Sequence, residues 1–100
     1  SGVVVEEDGA MLLRQAWQSG HKLHAYSDGG LRPGKSASAA WVVYAVRPCG
    51  TELLWERIAW KAFPIALSRN TSAFTCESLA LEDLLAFIDG VCCLGDVSYR

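Results

Sequence analysis

Between Leu23 and Phe63 the chain passes three times through strand-length sequence, with only turn-length breaks between the passes. Leu23-His24-Ala25-Tyr26-Ser27-Asp28 reads as the first strand, closed by Gly29-Gly30. Ala39 to Val46 is the second, rich in the β-branched and aromatic residues that fit a pleated, half-buried surface. Glu52 to Phe63 is the third, apolar at Trp55, Ile58, Trp60 and Phe63 and polar at Glu56, Arg57 and Lys61. The breaks are a loop over Leu31–Ser38, holding Pro33 and Gly34, and the turn Arg47-Pro48-Cys49-Gly50. Pro48 holds one φ of that turn and Gly50 accepts a positive one. Consecutive strands joined by short turns pair antiparallel, so the pattern predicts a three-stranded meander.

A helix is predicted over residues 73–89. Glu77, Leu81, Leu84 and Ile88 recur at helical spacing, flanked by Ala80 and Leu85. Thr71, Ser72 and Thr75 are the candidate caps, and Gly90 is the expected stop. Val91-Cys92-Cys93-Leu94 has the apolar density of a buried strand. The expected fold class is therefore α/β, in the order β-β-β-α-β. Residues 1–20 read as a linker or upstream element. Val3–Val5 is a short strand or extended tail there, and Ala10–Gln18 a short helix stopped by Gly20. Residues 21–100 then read as the N-terminal part of the domain proper.

Composition narrows the function classes. Hydrophobic residues make up 51% and charged residues 20% of the 100, which excludes a disordered tail or a polyelectrolyte. A net charge of −2 excludes a clamp that holds nucleic acid by charge alone. No window approaches the ~18–20 apolar residues of a membrane helix. The four cysteines, Cys49, Cys76, Cys92 and Cys93, form no C-x-x-C pair and read as reduced and mostly packing residues. That suits a reducing, intracellular compartment, cytoplasmic or nuclear. His21 and His24, three apart on a strand, fall on opposite faces and make no metal pair. Ser27 lies in no nucleophile elbow. The four tryptophans read as core or sheet-face residues.

Two carboxylates are out of place. Asp28 ends a strand whose other residues pack in a sheet. Glu77 falls on the stripe of its helix expected to face that sheet, with no Arg or Lys within one turn to relieve it. A buried carboxylate needs a partner, and a metal ion is one. Each residue has a plainer reading: Asp before Gly is common in turns, and an acid near a helix start complements the dipole.

Taken together these features resemble a family. Tyr26-Ser27-Asp28-Gly29-Gly30, then Pro33-Gly34, then Ser36-Ala37-Ser38-Ala39-Ala40 entering a second strand, is similar to the opening of a ribonuclease H domain of the type fused to reverse transcriptases. Cys76-Glu77-Ser78-Leu79-Ala80-Leu81 is similar to the helix that carries that family's second catalytic acid. The resemblance covers about residues 22–100 and implies the first part of a larger domain from a retroelement-like polyprotein, with little or no activity expected of these 100 residues alone. It implies hydrolysis of the RNA strand of an RNA–DNA hybrid, with two Mg²⁺ ions (or Mn²⁺) roughly 4 Å apart. In those terms Asp28 is the bridging ligand and Glu77 the helix ligand. Asp96, which follows the apolar run Val91–Leu94, is the third acid. It departs from the family pattern in having Gly95 before it and Val97 between it and Ser98, and it also reads as an ordinary turn residue. Arg32 and Lys35, in the loop after Asp28, are the expected phosphate contacts, although they also suit a solvated loop. A fused reverse transcriptase region is the implied neighbour. The alternatives are a non-catalytic fragment of the same fold acting as a structural or interaction module, and an unrelated α/β domain in which Asp28 and Glu77 never meet.

Overall fold

A computed structural model describes residues 2–6, 9–20 and 22–94; the side chains of Ala10 and of residues 91–94 lie outside that description. The meander is present. Strands β2 (Lys22–Arg32), β3 (Ser36–Cys49) and β4 (Glu52–Ile65) pair antiparallel in sequence order, and a two-residue strand β1 (Val4–Val5) adds to the free side of β4. The sheet order is β1-β4-β3-β2, which leaves β2 at an edge. The expected loop at Leu31–Ser38 is a tight turn over 33–35. Gly34 takes a φ of 71° there, and the Lys35 amide donates to the Arg32 carbonyl at 2.9 Å. Pairing resumes at once on either side of the turn, with Arg32 opposite Ser36.

Helix α1 (Gly9–Ser19) and helix α2 (Ala73–Leu94) cover the same face of the sheet. Strand alternation sends Trp41, Val43 and Ala45 of β3 toward them, where they pack with Leu13 and Ala16 of α1 and Leu84 of α2. Helix α1, which falls within the stretch expected to be a linker or upstream element, thus contributes to the core: Leu13 and Ala16 are each 1% exposed. Between Val43 and Tyr44 the register slips. Val43 faces Ala59 but Tyr44 faces Arg57, so Ile58 is an extra residue, and Ile58 and Ala59 are both buried.

Helix α2 begins at Ala73, as the spacing predicts, and Ser72 is its cap. Its Oγ accepts from the Thr75 amide at 3.1 Å, and its carbonyl accepts from the Cys76 amide at 3.1 Å. The far end differs from the expectation. Gly90 keeps a helical backbone, and Val91–Leu94, predicted as a fourth strand, is the last turn of α2. The observed order is β-α-β-β-β-α, a mixed α/β fold with a four-stranded antiparallel sheet. The physical reason is that a four-residue apolar run carries no period of its own. Continuing the helix satisfies its amides locally, whereas a strand needs a neighbour to pair with. No helix among the described residues is long and apolar enough to cross a membrane.

One polar node ties α2 to the sheet. The indole nitrogen of Trp41, a residue only 2% exposed, donates to Asp83 Oδ2 at 2.7 Å, and Lys61 Nζ donates to Asp83 Oδ1 at 3.0 Å. Trp41 and Lys61 are cross-strand partners, so one carboxylate bridges both strands to the helix. The Trp41 ring also packs on Phe87 at 4.9 Å, and Lys61 sits 4.9 Å over the Phe63 ring. Partial burial works to raise the Asp83 pKa, but the bonds from Trp41 and Lys61 and the Lys61 charge outweigh it and hold the carboxyl below its ordinary value. A depressed folded pKa stabilises above the unfolded value near ~3.9, and that stability is lost as pH falls through the folded pKa. Asp83→Asn is accordingly expected to cost about 1–2 kcal/mol at pH 7. The gap between the two proteins should close as urea unfolding is repeated at pH values below about 4.

Candidate carboxylate site

The site is built where α2 crosses β2. Gly29, directly after Asp28, lies against the first turns of α2. A Cβ added there would overlap the carbonyl carbon of Cys76 and the amide nitrogen of Glu77, which are backbone atoms that no side-chain adjustment can move away. The small residues opposite make this approach possible. Gly29 pairs with Ala39 and Leu31 with Ala37, and both alanines are buried on the helix-covered face. The Ser36–Ala40 run therefore serves as a shallow bed on which a helix can lie close to the strands. Since consecutive Cα atoms stand 3.8 Å apart, the contact puts the Cα atoms of Asp28 and Glu77 within roughly 9 Å of each other.

The two side chains leave that contact differently from the expectation. Glu77 does not face the sheet. It is exposed, and Leu81, four residues on, is 48% exposed. The buried stripe lies one residue earlier, through Cys76, Ala80 and Leu84. Cys76 takes the sheet-facing place because the Gly29 crevice admits a small side chain, and this turns Glu77 to the rim. Asp28 is exposed as well. Because Gly29 faces the helix, alternation points Asp28 to the uncovered face of the sheet. There it borders a shallow concavity of about 370 Å³ with Tyr26, Val42, Tyr44, Arg57 and Trp60. Neither Asp28 nor Glu77 is hydrogen-bonded or ion-paired to a described residue, whereas Arg57, in the same concavity, donates to Glu6 at 2.7 Å. Both acids lie near the β2 side of the sheet, which has no further strand paired to it among the described residues.

The other predicted residues fall as follows. Arg32 ends β2, exposed and on the same face as Asp28; at ~3.3 Å per residue it stands about 13 Å along the strand. Lys35 is exposed in the adjoining turn. Asp96 and His21 lie outside the described residues, and among those described no three His, Cys, Asp or Glu side chains gather as a metal cluster. His24 packs on Trp55 with ring centroids 4.7 Å apart. Cys76 is a buried free thiol and Cys49 an exposed one, so Cys49 is not a packing residue. Trp41 is core, and Trp55 is 45% exposed on the uncovered face. Sequence reasoning passed over Asp83, although it lies one heptad beyond Cys76 on the buried stripe.

Comparison with known proteins identifies no relative: no family model matches, and neither the curated proteins nor the solved structures contain a match. The likeness to ribonuclease H rests on the residues themselves.

Gly29→Ala tests the close approach. The added Cβ forces α2 off the strand, at an expected cost of about 1–3 kcal/mol in urea denaturation. At Gly30 the nearest atom to an added Cβ is the Ser38 hydroxyl at 3.4 Å, so Gly30→Ala should change the midpoint little.

Proposed function

We propose that this domain is ribonuclease H-like and belongs to a protein that hydrolyses the RNA strand of RNA–DNA hybrids, with Asp28 and Glu77 among the carboxylates that hold its two divalent cations. The observation that carries this reading is the Gly29 contact. It brings the backbones of two acids far apart in sequence close together, and neither acid has a partner among the described residues. Two free carboxylates fit Mg²⁺, a hard cation that binds through one or two acidic oxygens and keeps most of its waters. A cation held there supplies an activated water and charge neutralisation at the scissile phosphate.

The chain's own residues do the positioning. Asp28 sits on a strand paired along its whole length with β3, so its backbone is fixed. Glu77 approaches from a capped helix and is free to turn toward the β2 edge. Arg32 and Lys35 offer phosphate contacts at one end of the same strand, and the hybrid itself is read by shape and 2′-hydroxyls. Asp96 belongs to this proposal as a third acid. The partner implied is an RNA–DNA hybrid, and the free thiols of Cys49 and Cys76 favour a reducing, intracellular setting.

Paramagnetic broadening by Mn²⁺ in ¹⁵N spectra tests the site. The amides around Asp28–Gly30 and Glu77 are expected to broaden first. Asp28→Asn or Glu77→Gln should each weaken Mn²⁺ binding by about tenfold or more. Gel shifts with Mg²⁺ should favour an RNA–DNA hybrid over duplex DNA. Mn²⁺ effects centred elsewhere, or untouched by Asp28→Asn, would overturn the reading and leave a non-catalytic module.

A further inference from the structure

We infer that Asp83 is a positioning residue for the carboxylate site: through Trp41 and Lys61 it sets the rotation of α2, and with it the direction in which Glu77 leaves the Gly29 contact. The inference rests on the cation-holding reading of Asp28 and Glu77. Cys76 and Asp83 are seven residues apart, two turns of helix, and so share one face of α2. At Cys76 the helix meets Gly29, and at Asp83 it meets Trp41 and Lys61. The two contacts differ in kind. Gly29, Ala37, Ala39, Cys76 and Ala80 are small, and such a contact fixes how near the helix lies without interlocking to stop it rolling about its axis. The Asp83 bonds are directional and run to two different strands, at 2.7 and 3.0 Å. A rigid helix held at both points can neither roll nor tilt. Glu77 is the next residue after Cys76, about 100° round the axis, so its direction follows the roll directly. In some proteins partly buried charge networks specify one arrangement in addition to any stability they contribute.

The test combines a metal-free readout with a metal readout. In the wild-type protein, an NOE between the Gly29 Hα and the Glu77 amide reports the helix seat, and Mn²⁺ titration reports the site. Asp83→Ala is expected to weaken or abolish the NOE and to raise the Mn²⁺ Kd by about tenfold. Asp83→Asn, which keeps an acceptor for Trp41, should fall between it and wild type, and it decides the matter if the alanine variant does not fold. Leu84→Ala is the control. It removes a core side chain of the same helix but leaves every group that bonds to Asp83 in place, so the remaining folded protein should keep both the NOE and the Mn²⁺ affinity. A folded Asp83→Asn protein with wild-type NOE and wild-type Mn²⁺ affinity would overturn the inference, as would Leu84→Ala reproducing the Asp83 effects. Failure of the wild-type protein to bind Mn²⁺ would instead sink the cation-holding reading, with the NOE still deciding what Asp83 does to the helix.

Discussion

The contact between Gly29 and the backbone of Cys76 and Glu77 is the constraint from which the rest of the structure follows. A helix can lie this close to a strand only where the strand has no side chain to offer and its neighbours offer small ones. The glycine, the paired alanines of β3 and the thiol of Cys76 meet that demand. The approach also explains why α2 starts where it does. Ser72 supplies the first turn with two acceptors, its Oγ for the Thr75 amide and its carbonyl for the Cys76 amide.

Closeness and orientation are separate problems, and the protein solves them with different chemistry. Apolar contact between small groups is strong in sum but indifferent to rotation. The bridge from Asp83 to Trp41 and Lys61 is directional, and each of its three groups is satisfied by the others. The carboxylate is covered enough to matter and open enough, at 30% side-chain exposure, to avoid the full penalty of a buried charge.

The meander and the start of α2 were legible because they rest on local rules: β-branched runs, Pro and Gly at the turns, a hydroxyl before an apolar period. What escaped was decided by packing. The stripe 77-81-84-88 and the stripe 76-80-84 differ by a small rotation, and periodicity alone cannot choose between them when alanine and cysteine count as weakly apolar. The Gly29 crevice chooses the second. The end of α2 escaped for a related reason, since Gly90 stops a helix only when its backbone adopts a positive φ. The β1 pairing and the core role of Leu13 and Ala16 were hidden because so short a strand has no pattern of its own. The sequence singled out Asp28 and Glu77 as acids out of place, but the direction of each side chain was set by packing that it does not display.

The slip between Val43 and Tyr44 reaches further than its one residue. Trp55 and Trp60 are five positions apart, an odd number, and in an unbroken strand they would lie on opposite sides of the sheet. The extra residue at Ile58 brings both to the uncovered side, where Trp55 packs on Tyr44 and Trp60 borders the concavity beside Asp28. What decides their shared side is the count of residues between them, not the identity of either ring. The middle of β4 is therefore a stretch in which exchanges of side chain can be absorbed, while the loss or gain of a single residue would turn half the strand inside out.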